Sequence, residues 1–160
     1  MSTLDELPVW LRTTLKVYRW RRVHPVPCSS LRKPITQSRV ALVTTAGVVP
    51  AGQVPFDKRT KGGDCSYRVV TADTNVETLG EFHRSESFDH AGIMKDRNVA
   101  FPLDRLHELS NSGEIGDVAP RHLSFMGSVT APGRLVRQTA PEAAHILVED
   151  HVDIALLIPV

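Results

Sequence analysis

Arg39-Val40-Ala41-Leu42-Val43-Thr44-Thr45-Ala46-Gly47 is the stretch on which the fold turns. After Arg39 it runs through aliphatic residues without a charge, the pattern of a strand covered on both faces. It ends on small residues and Gly, and Val48-Val49-Pro50 then turn away. An apolar strand feeding such a turn opens many doubly wound sheets, where the loop receives a ligand. The GxGxxG fingerprint is absent, so the nucleotide signal is weak.

Toward the C-terminus, Ser66–Val70 reads as a second strand, an edge one by its polarity. His83 to Asn98 is polar without a period and predicts a long loop, a common home of function. Pro102 suits a first helical turn, with Leu103, Leu106 and Leu109 on one face and Gly113 as the stop. His122–Gly127 predicts a short strand. Thr139-Ala140-Pro141-Glu142 fits a capping box ahead of a buried stripe of Ala143, Ile146 and Leu147. That helix feeds Val152–Val160, which reads as a buried strand. Strands alternating with helices predict an α/β fold, a Rossmann-like, mostly parallel sheet flanked by helices. Ligands of such sheets bind beyond the carboxyl ends of the strands. The expectation is therefore a chain truncated after a core strand, where the site would be completed.

Toward the N-terminus, Leu7, Leu11, Leu15 and Tyr18 recur at helical spacing, predicting an amphipathic helix over Asp5–Arg22. His24-Pro25-Val26-Pro27 ends it. The expected organisation is a basic helix and Pro-rich loop over residues 1–38 and an α/β domain over residues 39–160. Residues 1–40 carry eight Lys and Arg against two Asp and Glu; the remainder carries eleven against sixteen. A basic arm beside an acidic body suits docking to a partner or another subunit, or is a solvated face. No nucleic-acid motif accompanies the charge. No run approaches the roughly 20 apolar residues of a membrane span, and Met1–Glu6 lacks the start of a secretory signal. Cytoplasm is the default expectation, with no membrane or nucleic-acid partner.

Cys28 and Cys65, the only cysteines, form no CxxC. Cys65 reads as a small core residue and Cys28 as an incidental loop thiol. The densest polar cluster is Phe82-His83-Arg84-Ser85-Glu86-Ser87-Phe88-Asp89-His90, followed by Asp96-Arg97-Asn98. Two imidazoles and two carboxylates could do acid–base work, or hold a divalent metal. The spacing matches no metal motif and HExxH is absent, so no metal is assigned. Equally, Ser and Asp in such a loop close turns and cap helices. A lone His122 before a strand is more often structural than catalytic, and His107 reads as a surface residue. Thr44, Thr45 and Gly47 could offer hydroxyls and backbone N–H groups to an anionic ligand; a plain turn is equally consistent. No GxSxG elbow occurs.

Five segments, in order, resemble the selenoprotein B family of glycine, sarcosine, betaine and D-proline reductases: Arg39–Pro50, Phe82–Asp89, Asp96–Leu106, Gly113–Gly116 and Ala119–Gly127. The resemblance is nearest to the D-proline-reductase-type subunit. It implies reductive cleavage of a C–N bond in a small amino acid or betaine-like substrate. In the family a selenocysteine selenolate, or a cysteine thiolate, attacks the carbon next to the carboxylate; the amine leaves and thiols regenerate the selenium. Selenium suits this step because a selenolate is ionised at neutral pH, whereas an ordinary thiol has a pKa of about 8.5. The resemblance further implies other reductase subunits as partners in an oligomer, with a pyruvoyl group on a separate subunit in the D-proline enzyme. The segment itself is expected to bind no cofactor.

In the D-proline-type proteins the strand resembling Val152–Val160 leads into the selenocysteine, encoded by UGA. The expectation is a nucleophile just after Val160 and none within the chain. Cys28 and Cys65 do not match its position. His83, Asp89, Asp96 and His122 lie in matching motifs and become candidates for substrate positioning or proton transfer. Two other readings stay open: a non-catalytic assembly or binding module with the same fold, and a metal-dependent hydrolase using His83, Asp89 and His90.

Overall fold

The computed structural model describes residues 7–18, 23–85 and 89–160. The chain divides into two compact units, Met1–Ser30 and Leu31–Val160. In the first, α1 spans Val9–Val17, entered through Pro8, and none of its residues is buried. The Thr13 and Thr14 hydroxyls donate to the carbonyls one turn back. The rest of the helix expected over Asp5–Arg22 lies outside the described residues.

The second unit is built around β1 (Arg39–Thr44). On one side β7 (Ile154–Ile158) runs parallel to it, Val40–Thr44 against Ile154–Ile158. On the other, β5 (Asp117–Val118) pairs with Arg39 and Val40, and β6 (Arg121–Phe125) with Val43 and Thr44, both in parallel. β3 (Tyr67–Thr71) adds an antiparallel edge beyond β6. β2 (Val48–Val49) and β4 (Gly80–Glu81) form a separate antiparallel pair. The α/β sheet is mostly parallel, as expected. Alternation along β1 splits the two layers: Val40 and Leu42 pack into the main core with Phe101, Leu103 and Leu106. Val43, with Leu123 of β6, faces Ala143 and Leu147 of α4 (Ala140–Glu149).

Between its pairings with Val40 and Val43, the neighbouring strand advances from Val118 to Leu123. It spends two more residues than β1, which makes a bulge at Ala119-Pro120. Pro120 has no N–H for the ladder. The Leu42 N–H that faces the bulge donates instead to His122 Nδ1 at 3.0 Å.

α3 (Leu103–Asn111) buries Leu103 and Leu106, while Leu109 stays partly exposed. Gly113 takes φ +75° after it, the left-handed stop that glycine makes without strain.

Four expectations are corrected. The polar stretch His83–Asn98 is not one long loop: α2 spans His90–Lys95 and a 3₁₀ turn spans Arg97–Val99. Ile93 alone anchors α2 in the core, too little for a visible period. Thr139 is no N-cap, because a π-helical turn over Leu135–Thr139 runs straight into α4. Its buried hydroxyl donates to the Cys65 carbonyl at 2.6 Å, a partner the local sequence does not show. β7, expected to be buried, is an edge strand among the described residues. Ile154 and Ile158 reach the core, but Leu156 is 44% and Leu157 68% exposed. His107 is also less exposed than its helix position suggests; its Nε2 meets the Ala72 carbonyl at 2.8 Å.

Candidate functional site

The carboxyl ends of β1, β6 and β7 meet at Thr45. Its N–H donates to the Ile158 carbonyl at 3.1 Å, and its carbonyl accepts the Gly127 N–H at 2.8 Å. Its Oγ1 accepts the Val160 N–H at 2.9 Å. One residue thus joins three strand ends. Beside them lies a cavity of about 280 Å³ whose wall includes Thr45, Phe125, Met126, Gly127, Val129 and Leu135. Its lining is almost wholly apolar, with Thr45 the one polar residue in it, the composition of a site for a small ligand.

His83 packs against Gly127 and Gly47, beside these strand ends. It is 3% exposed. A Cβ on Gly127 would lie 2.6 Å from His83 Nε2, and one on Gly47 3.0 Å from the His83 nitrogen. Gly47 also has φ +68°, so both its conformation and its close neighbour demand glycine. Gly127→Ala is expected to push the ring aside at a cost of about 1–3 kcal/mol. Urea unfolding checks this: a loss below about 0.5 kcal/mol would show that the ring has room to move.

The other expected residues serve the fold. The Thr44 hydroxyl is buried; it donates to the Ala100 carbonyl at 2.8 Å and accepts the Ala46 N–H at 3.1 Å. The Gly47 N–H donates to the Phe125 carbonyl at 2.9 Å. The N–H groups of Thr45, Ala46 and Gly47 are therefore all spent within the fold, which leaves no nest for an anion. Asp89 caps α2 through the Gly92 N–H, and Asp96 caps the next turn through the Asn98 N–H. His122 sits inside the sheet, fully buried, with its pKa pushed down to about 4 by burial. His83, Asp89 and His90 do not converge: among the described residues no three His, Cys, Asp or Glu side chains group as metal ligands.

Glu81 is the residue that sequence reasoning misses. Its side chain is 9% exposed. One carboxylate oxygen accepts the His83 N–H and the other lies 2.7 Å from His90 Nδ1. His90 Nε2 is 3.0 Å from the Ser85 carbonyl, and the Ser85 N–H donates to His83 Nδ1 at 3.2 Å. The hydrogen bond to Glu81 raises the His90 pKa; burial lowers that of His83. Nothing in the run Leu79-Gly80-Glu81-Phe82 signals this, because the partners come together only when the start of α2 folds back against β4.

A further cavity of about 420 Å³ lies at the amino end of β1, by Lys33, Gln37, Arg39, Gly116 and Asp117. Its charges are matched internally, Lys33 with Asp153 at 2.7 Å and Arg39 with Asp117 at 3.0 Å. Lys33 in turn holds the Asp153 carboxyl below the usual range. No helix among the described residues is long and apolar enough to cross a membrane.

The family described as glycine/sarcosine/betaine reductase selenoprotein B matches residues 10–159. The chain is similar to the D-proline reductase subunit gamma of Acetoanaerobium sticklandii, 34% identical over 134 residues, which cover 83% of this chain and 53% of that protein. It is similar also to two proteins of Peptoclostridium acidaminophilum. With the sarcosine reductase complex component B subunit beta it shares 27% identity over 136 residues, 82% of this chain and 30% of that one. With the betaine reductase complex component B subunit beta it shares 30% over 108 residues, 66% and 24% of the two chains. The chain therefore spans about half the length of the first relative and less than a third of the others. No solved structure matches it. With the match running through β1, the His83 segment and β6, the chain belongs to the glycine/sarcosine/betaine reductase selenoprotein B family.

Proposed function

We propose that this chain is part of a reductase subunit that cleaves the C–N bond of a small amino acid or an N-methylated derivative. The observation that carries the reading is the meeting of three strand ends at Thr45, beside an apolar cavity and backed by His83. In the balanced reaction a dithiol is oxidised to a disulfide, the carbon gains hydrogen, and nitrogen leaves as an amine carrying a proton. The nucleophile is assigned to a selenocysteine or cysteine beyond Val160, on the family resemblance. Cys65 does not suit the role: it is buried, with Sγ near the Gly63 and Ala131 carbonyls. For D-proline, a pyruvoyl group on a separate subunit would activate the substrate.

This chain's own part is to shape the pocket. The apolar wall takes the carbon body of the substrate, and Thr45 Oγ1 borders it as a polar contact. His83 is assigned to hold the carboxylate that all four family substrates carry. Its Nδ1 accepts from Ser85, so in the neutral ring Nε2 bears the proton and donates.

The open edge of β7, with Leu156 and Leu157 exposed, supports a second reading, an assembly module that contacts another polypeptide. One experiment separates the two. The natural-length protein is combined with its partner subunits and a dithiol, and turnover is followed as amine release from glycine, sarcosine and betaine and as the ring-opened amino acid from D-proline. Turnover of one of them is expected. A complex that assembles but turns over none would leave the assembly reading. In the natural-length protein a selenocysteine or cysteine is expected shortly after the strand that ends at Ile158; neither there would sink the placement of the nucleophile.

A further inference from the structure

We propose that Glu81 is a positioning residue. Acting through His90 and the Ser85 peptide, it holds the His83 ring in the tautomer with the proton on Nε2, turned toward Gly127 at the strand ends. The argument starts from donors and acceptors. His90 faces the Glu81 carboxylate with Nδ1 and the Ser85 carbonyl with Nε2. Both partners are acceptors, so both ring nitrogens carry protons and His90 is an imidazolium. The Ser85 peptide is thereby pinned by its oxygen. Its N–H, on the other side of the same residue, donates to His83 Nδ1 and requires a lone pair there. The proton of a neutral His83 must then sit on Nε2, the atom nearest a Cβ on Gly127.

Glu81 also holds the His83 backbone through its second oxygen. One carboxylate, itself almost buried, so fixes both ends of the short loop that carries His83. Other charges act on these rings. Lys58 works against a positive charge on both, Arg84 against one on His83, and the two rings repel each other when charged. Glu81 favours protonation of His83, while burial keeps it neutral. The lock gives His83 a fixed donor without making it a cation.

This extends the reading that His83 serves the reaction to a residue two positions earlier, and the test keeps the two apart. Glu81→Gln and His90→Asn are made in the natural-length protein, and ¹⁵N-histidine NMR reports the His83 ring nitrogens. In the parent, Nδ1 is expected at an unprotonated shift and Nε2 at a protonated one. In both variants the two shifts are expected to move toward each other as the tautomers mix. In the assembled enzyme KM is expected to rise about tenfold or more, with kcat little changed. His83 shifts unaltered in both folded variants would overturn the lock. Shifts that mix while KM and kcat both hold would uphold the lock and remove His83 from the reaction.

Discussion

His122→Ala is expected to destabilise the α/β unit by about 3–5 kcal/mol. Two losses combine. The ring is fully buried and stands edge-on to Phe101, with centroids 5.9 Å apart, so truncation opens a cavity in the core. It also strips the Leu42 N–H of its acceptor at the bulge, and an unpaired buried amide costs about 1–3 kcal/mol. His122→Phe separates the two, because it refills the volume and leaves only the amide unpaired. Chemical denaturation should therefore rank the parent above His122→Phe, and His122→Phe above His122→Ala. Equal stability of parent and His122→Phe would show that the Leu42 hydrogen bond contributes no more than burying the ring's other nitrogen costs.

The same residue sets a pH dependence. Its folded pKa of about 4 lies below the ordinary value of 6.5, through burial first and then repulsion from His107; Asp150 opposes both. A histidine kept neutral by folding stabilises fully above the unfolded pKa. That stability is lost as pH falls from about 6.5 toward 4, by about 3 kcal/mol in all. His83, also lowered by burial, adds to the slope. His90, raised by Glu81, acts in the opposite sense, its contribution present in acid and lost as pH rises through its folded pKa. The difference in slope between parent and His122→Phe isolates His122. Parallel curves would mean that its ring takes up a proton without leaving the core.

Gly116→Ala is the second large effect, at the amino end of the sheet. A Cβ there would strike the Gln37 carbonyl carbon and lie 2.7 Å from the Ser38 nitrogen. These are backbone atoms and cannot rotate away. Either the turn over Ile35–Gln37 or the start of β5 must move. Such a shift weakens the bonds of the Gly116 N–H to the Ile35 and Ser38 carbonyls, at 3.2 and 3.1 Å, and of the Asp117 N–H to Ser38. The expected loss is about 3 kcal/mol, the upper end of the usual overpacking cost. Gly113→Ala supplies the comparison. That glycine has φ +75° and open space around it, so its substitution meets only the left-handed penalty of about 1–2 kcal/mol. If Gly113→Ala proved the more damaging, packing against Gln37 would not be the reason for a glycine at 116.

The elements legible in the sequence are those whose residues meet a local requirement. β1 shows itself because every residue from Val40 to Val43 must be apolar to lie between two layers. α3 shows itself through Leu103, Leu106 and the stop at Gly113. α2 stays hidden because one buried residue, Ile93, suffices to dock it. Thr139 misleads because its hydroxyl satisfies the Cys65 carbonyl, distant in sequence, rather than its own helix.

The candidate site divides in the same way. The resemblance singles out His83, Asp89, Asp96 and His122 together, yet the four have different surroundings. Asp89 and Asp96 cap the turns that follow them, and His122 repairs a strand bulge. Only His83 reaches the strand ends. A motif reports that residues occur together along the chain, not which of them share a place.

The sequence by itself determines the α/β class, the parallel core around β1 and membership of the reductase family, because these rest on apolar periodicity and on long ordered motifs. Only the tertiary structure decides that Thr45 joins three strand ends, that β7 is an exposed edge, and that Glu81 governs His83. The first depends on hydrogen bonds between residues far apart in the chain, the second on which side of a strand has no neighbour among the described residues, and the third on how the chain after β4 folds back on Glu81. None leaves a local trace, since a carboxylate or a leucine looks the same in sequence whatever later comes to lie against it.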